Sequence, residues 1–285
     1  MPRRLAWLDV FTSRALVGNG LAVVHDADDL DDATMLAFAR ETNLAETTFV
    51  QTATAEGADY RNRIFMPTGE LPFAGHPSLG TAVAVAHAGG DREARYVQQT
   101  GAGLQPVEVD LPNGGFVARA SMLQEPAVFG EELEPEPVLS ALGLAAADAH
   151  PELPVQVVST GIAQAIVPVR DAGALDRVAP DAAALEALLE RTGTTVAYLA
   201  HCEPEREVAA ARSFFIQGPL AREDPGTGSA AGPLCAYLHA RTGAARVDVE
   251  QGVHMGRPCL LRCEAGQRVR VGGDVTLVSV GELLL

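Results

Sequence analysis

The chain has 285 residues, a formal net charge of −16, 47% hydrophobic and 20% charged residues. That composition belongs to a folded globular protein and excludes disordered, collagen-like and disulfide-scaffold classes. All 21 basic residues are arginine, so lysine-dependent Schiff-base, pyridoxal phosphate and phosphate-loop chemistries are ruled out. The acidic balance opposes nucleic acid and anionic membranes as partners.

Four cysteines (Cys202, Cys235, Cys259 and Cys263) are too few and too late in the chain for a disulfide framework, which favours a reducing cytoplasm. The start of the chain resembles a secretory leader, but Asp9 interrupts its apolar run. No stretch approaches the ~18 apolar residues of a membrane helix.

In chain order, residues 5–11 and 21–24 read as strands joined at a Gly18-Asn19-Gly20 hairpin turn. Asp31 or Asp32 caps a helix to about Thr42, with Met35, Leu36 and Ala39 on one face. Residues 47–51 are a strand, so Glu46 falls in the junction between helix and strand. Residues 60–65 form another strand, and 66–75 a Pro- and Gly-punctuated loop. After His76 as a cap and Pro77 at the first helical position, residues 78–86 are small and apolar nearly all round, the composition of an enclosed helix.

The second half repeats the device. Residues 224–228 are a turn, Thr227 or Ser229 caps, Pro233 falls in the first turn or so, and residues 230–238 form a second enclosed helix stopped near Gly243. An offset of 232 − 80 = 152 pairs Gly80 with Gly232, His87 with His239 and Gln99 with Gln251. Strands at residues 63–65 and 212–215 precede the two loops, and strands at 107–111 and 259–263 follow the helices. The expectation is an α/β (α+β) chain of two similar lobes, 1–124 and 125–285, with the last strand free to return to the first. The Pro- and Glu-rich run 124–137 reads as a solvated connection. Within the second lobe, residues 181–191 form an amphipathic helix closed by Gly193, and residues 155–160, 165–169 and 196–199 are strands.

Two enclosed helices entered from Gly-rich loops offer two sets of unpaired N–H groups, suited to a carboxylate if both tips face one cleft. The same glycines also serve tight helix packing. Glu46 lies where the negative end of a helix dipole raises a carboxyl pKa, as general acid/base work requires, although glutamates at helix ends are commonly just solvated. Asp224 suits the first position of an Asp-Pro-Gly turn, and Glu70 pairs with Arg61 or Arg63. His76 is open to three readings: cap, substrate ligand or buried structural imidazole. The Cys/His spacings do not make a zinc site. Residues 101–106 lack the third glycine of a dinucleotide loop, Ser229 lacks the flanking glycines of a hydrolase elbow, and Cys235 lies too deep in its helix to act as a nucleophile.

The segments at residues 8–12 with Gly18-Asn19, 41–47, 70–77, 223–233, and 251–252 with 255–258 occur in an order that resembles the phenazine-biosynthesis PhzF-like isomerase family. The resemblance implies a diaminopimelate-epimerase-like fold, with two pseudo-symmetric lobes, each a curved sheet around a central helix, and an active site between them. It implies a cofactor-free, metal-free proton shift of the kind that isomerises trans-2,3-dihydro-3-hydroxyanthranilate. A glutamate matching Glu46 moves the proton, Asp224 and His76 assist, and Gly75, His76, Gly228 and Ser229 bind a small carboxylate substrate. The related epimerases use two cysteines, and neither helix tip here carries one. Homodimerisation is expected from the resemblance alone.

Departures from the family pattern are Gly20 for proline, Met66 for threonine, Gly226 for alanine and Cys259 for serine; Met66 and Gly226 bear on the substrate more than on the chemistry. The alternatives are an amino-acid racemase or epimerase using carboxylates in place of thiols, and a non-catalytic scaffold or small-anion-binding protein of the same fold.

Overall fold

A computed structural model of the chain describes residues 2–112 and 115–285; Met1, Asn113 and Gly114 of the expected first lobe lie outside the described residues. Two compact units result, Met1–Leu123 with Gly272–Leu285, and Gln124–Val271.

In the first unit, β1 (Arg3–Val10) runs antiparallel to β2 (Asn19–Val24). Helix α1 (Asp32–Thr42) crosses over to β3 (Glu46–Gln51), parallel to β2. β4 (Tyr60–Met66) returns antiparallel to β3 and forms a hairpin with β5 (Gly69–Leu71). Helix α2 (Gly75–Gly89) leads to β6 (Glu93–Thr100), parallel to β4, and then to β7 (Gly103–Asp110) and β8 (Val117–Leu123), each antiparallel to the strand before it. The sheet wraps α2, which packs against β1, β2, β3, β4, β6, β7 and β8.

The second unit opens with β9 (Val128–Leu133) and α3 (Pro135–Ala141), followed by β10 (Val155–Ser159) antiparallel to β9 and β11 (Ala163–Pro168) antiparallel to β10. Helices α4 (Ala172–Arg177) and α5 (Ala182–Thr192) cross to β12 (Ala197–Glu203), parallel to β11. β13 (Val208–Gln217) is antiparallel to β12 and forms a hairpin with β14 (Leu220–Asp224). Helix α6 (Gly228–Thr242) leads to β15 (Arg246–Gln251), parallel to β13, and β16 (Cys259–Glu264). α6 packs against β10, β11, β15 and β16. The last strand, β17 (Arg270–Leu283), pairs antiparallel with β1. The fold is therefore mixed α/β, with each unit a sheet built around one central helix.

Composition explains the two central helices. Each has ten of its fifteen residues buried, and small side chains on every face let strands approach from all round. At Gly80 a Cβ atom would lie 2.5 Å from Leu21 Cδ2 and 3.0 Å from Val10 Cγ2, so alanine there would push α2 off β1 and β2.

Several sequence expectations are corrected. Asn19 and Gly20 are paired strand residues opposite Val10 and Asp9, and residues 11–18 make the connection. A short strand, β5, interrupts the expected 66–75 loop. Helix α2 begins at Gly75 with Ala74 as its N-cap, so His76 is its second residue, not its cap, and Pro77 its third.

Thr227 is the N-cap of α6, and Pro233 is its sixth residue, beyond the first turn. Proline there cannot donate to the Ser229 carbonyl, and the buried Gln164 amide supplies a donor 3.5 Å from that oxygen. The acidic run is β9 and the start of α3; five consecutive exposed strand residues hid it from the alternation rule. Finally, the repeat offset is one residue longer: α2 and α6 start 228 − 75 = 153 apart, and the fully buried glutamines on the strands that follow them, Gln98 in β6 and Gln251 in β15, are also 153 apart.

Candidate active site

Glu46 is the first residue of β3, delivered by Asn43, which ends α1 in the left-handed region at φ 51°. Its side chain is 14% exposed, and Oε2 lies 3.5 Å from His76 Nε2. His76 is brought there as the second residue of α2, next to Gly75. The His76 ring is buried, with Nδ1 3.2 Å from the Asn19 amide nitrogen. Burial pushes the imidazole down to about 3, against an opposing hydrogen bond to the Gly20 carbonyl, so it is uncharged at neutral pH. The Glu46–His76 contact is thus a carboxylate beside a neutral ring, longer than a normal hydrogen bond and not an ion pair.

In the second unit, Asp224 is the last residue of β14, Gly228 the first of α6 and Ser229 the second. The Thr227 hydroxyl donates to Asp224 Oδ2. Ser229 Oγ lies 3.4 Å from the Gln164 amide, and the Gly228 carbonyl accepts from Gln124 at 2.9 Å. Gly252, at φ 77°, closes the loop behind this turn; a Cβ there would come within 2.6 Å of the Pro225 carbonyl.

The helix entries differ from those of the amphipathic helices. Asp31, Asp171 and Asp181 cap α1, α4 and α5 with side-chain acceptors, whereas Ala74 and Thr227 give α2 and α6 no side-chain cap bond. First-turn N–H groups at Gly75–His76 and at Gly228–Ser229 are therefore not consumed by the helices' own caps.

Glu70 resolves as an ion-pair partner: both its oxygens accept from Arg63, at 2.8 and 2.6 Å. All four cysteines are buried and none is in a disulfide. Burial pushes the Cys202 and Cys235 thiols up to about 12 and holds the Cys263 thiol well above its usual range, far from reactive thiolates. Among the described residues no group of three or more His, Cys, Asp and Glu side chains could hold a metal ion, and no helix is long and apolar enough to cross a membrane. Sequence reasoning gave no role to Asn19, beside His76, or to Gln251, bonded to the Asp224 carbonyl at 2.7 Å. The signals available were adjacency to glycines, Gly18 and Gly20 for the first and Gly252 for the second, and the place of both residues in the segments that carry the family resemblance.

The family model described as phenazine biosynthesis-like protein (PhzC-PhzF) matches residues 8–281. A trans-2,3-dihydro-3-hydroxyanthranilate isomerase of Pseudomonas fluorescens is 36% identical over 98% of both chains. A solved structure described as a predicted epimerase from Pseudomonas aeruginosa is 35% identical, with a TM-score of 0.86 over 99% of both chains. A PhzF-family phenazine biosynthesis protein of Bacillus anthracis superposes with a TM-score of 0.87 at 25% identity over the whole of both chains.

Proposed function

From the premise that this chain belongs to the phenazine biosynthesis-like (PhzC-PhzF) family and is an isomerase, we propose that it catalyses a cofactor-independent proton shift on a small cyclic carboxylate. Glu46 is the proton carrier. The single observation behind the assignment is the placement of the Glu46 carboxylate, largely shielded from solvent, 3.5 Å from the uncharged His76 ring at the mouth of α2. As a carboxylate Glu46 accepts a proton from an activated carbon of the substrate. As the carboxylic acid so formed it returns that proton to a second carbon, and the charge on the protein is restored.

A neutral His76 can donate or accept one hydrogen bond at Nε2 without competing for the transferred proton, which suits it to orienting the substrate. In this proposal the uncapped N–H groups at Gly75 and at Gly228–Ser229 receive the substrate carboxylate, and Asp224 orients the substrate or assists transfer. The first compound to try is trans-2,3-dihydro-3-hydroxyanthranilate, named for the Pseudomonas fluorescens relative. The reading carries with it a homodimer in a reducing cytoplasm.

The test is turnover in heavy water. Deuterium appears at the rearranged carbon with wild type, and Glu46→Gln loses most turnover while retaining its circular dichroism spectrum. Full activity in Glu46→Gln ends the proposal. The description of the Pseudomonas aeruginosa structure as an epimerase favours a second reading, in which a base works on each face of a stereocentre. Under that reading Asp224→Asn is as damaging as Glu46→Gln.

A further inference from the structure

We infer that Thr227, oriented by Gln251, is a positioning residue that fixes the Asp224 carboxylate for the proton shift; the inference rests on the role given to Asp224 above. Two backbone groups set the orientation of the Gln251 amide. The Thr227 N–H can only donate, and it lies 3.2 Å from one arm of that amide, so this arm is Oε1. The Asp224 carbonyl can only accept, and it lies 2.7 Å from the other arm, so that arm is the NH2 group. An amide whose two ends are exchangeable in most glutamines is here assigned from both sides.

The rest of the chain follows. The Tyr198 hydroxyl, 2.8 Å from Oε1, donates to it. The Gln251 NH2 group, 3.0 Å from Thr227 Oγ1, donates into a lone pair of that hydroxyl. The hydroxyl has a single proton, and its acceptor is Asp224 Oδ2 at 2.5 Å. The donors therefore run in one direction, with Gln251 presenting a fixed threonine proton to one oxygen of Asp224. Burial keeps the arrangement from reversing: Tyr198 and Gln251 are fully enclosed and Thr227 nearly so. Burial, with Cys263 and Asp224 adding, holds the Tyr198 phenol well above its usual range, so it remains a donor.

Closing the turn needs only the bonds from Gln251 to the Thr227 N–H and the Asp224 carbonyl. The threonine hydroxyl is not needed for that, and its one available function is to hold the carboxylate. The matching position in the first unit shows that the fold does not demand this leg. Gln98 accepts from Asn62 at 2.9 Å, and the N-cap there is Ala74, which has no hydroxyl to orient.

The experiment compares full-length wild type, Thr227→Val, Thr227→Ser, Asp224→Asn and the Asp224→Asn/Thr227→Val double variant on trans-2,3-dihydro-3-hydroxyanthranilate. Crystal structures of the two threonine variants accompany the kinetics. Thr227→Val should lower kcat roughly 10- to 100-fold with KM changed by less than about threefold, the loss expected for one hydrogen bond to a charged group. Thr227→Ser should restore kcat to within about threefold, and adding Thr227→Val to Asp224→Asn should cost nothing more, since both act through one carboxylate. In the Thr227→Val crystal the Asp224 carboxylate turns away from its place; in Thr227→Ser it stays.

The inference is overturned by wild-type kcat in Thr227→Val beside an impaired Asp224→Asn, by additive losses in the double variant, or by a carboxylate that keeps its place in Thr227→Val. If Asp224→Asn runs at the wild-type rate, or wild type does not turn the compound over, the functional reading has failed instead. The two crystal structures then decide the positioning role by themselves.

Discussion

In the first unit the strand after the crossover begins with Glu46, and in the second the corresponding strand begins with Ala197. The second residue of the central helix is His76 in one and Ser229 in the other. Where β5 places Leu71 opposite Ile64, β14 places Asp224 opposite Ser213. The framework around these positions is shared. Arg63 grips Glu70 across the β4–β5 hairpin and lies over Phe65, as Arg212 grips Glu223 across β13–β14 and lies over Phe214. What the two units keep in common is the apparatus that aims each central helix. What differs is the set of ionisable side chains at its mouth, so the acid/base equipment is not duplicated.

The largest effects should expose that asymmetry. Glu46→Gln is expected to lower kcat by about 10²–10⁴, the usual worth of a positioned general base. Asp224→Asn should fall short of that loss by at least about tenfold, since it orients or assists and does not carry the proton. Steady-state kinetics on the same substrate measures both. Equal losses would mean that the two units work as matched bases, and the racemase-like reading would replace the one-base reading.

Acid should separate the units next. Burial pushes His76 down to about 3, and it pushes His25 down to about 4, with Arg4 adding to the effect. Both belong to the first unit. A histidine depressed in the folded state binds fewer protons there than in the unfolded chain, so stability falls as pH drops below about 6.5 and goes on falling until the folded value is reached. His76 alone should remove about 3 kcal/mol from the first unit by pH 4. Hydrogen exchange against pH checks this: amides of α2 and β4 should lose protection before those of α6 and β13. His76→Asn should flatten the difference, and an unchanged profile in that variant would place the acid-sensitive group elsewhere.

Why the sequence disclosed some of this and not the rest is physical. Helices α1 and α5 were legible because an Asp cap, one apolar face and an αL terminator coincide, at Asp31 and Asn43 and at Asp181 and Gly193. The enclosed helices were legible as helices but not in register. Both helices are apolar nearly all round, with Leu79 and Val83 in one and Leu234 and Tyr237 in the other set among Gly, Ala, Ser and Thr, so no single face fixes the register, and a one-residue slip moves Gly80 from the partner of Gly232 to that of Pro233. The true register emerges only where the strands bury Gln98 and Gln251.

β5 escaped because three residues carry no period of their own and exist by pairing with β4. Glu46 and Asp224 could be nominated from their junctions. The neutrality of His76 could not, because it depends on burial under strands distant in sequence.

A difference between two ion pairs tests the shared framework. Arg63 and Arg212 are equally buried, each with 11% of its side chain exposed, but Glu70 is 40% exposed and Glu223 only 13%. Arg63 also keeps Asp32 at 2.8 Å, whereas the further partner of Arg212 is the neutral Leu175 carbonyl at 2.7 Å. Removing Glu223 therefore leaves a buried cation with no counter-charge from this cluster, while removing Glu70 leaves one still paired. Glu223→Gln should cost about 2–4 kcal/mol in urea unfolding, and Glu70→Gln under about 1 kcal/mol. Replacing Arg212 and Glu223 together by methionine should recover most of the loss, because the cost lies in the stranded charge and not in the absence of the pair. Equal losses for the two single variants would show that exposure does not distinguish the clamps, and their common role would then lie in the geometry of the hairpins alone.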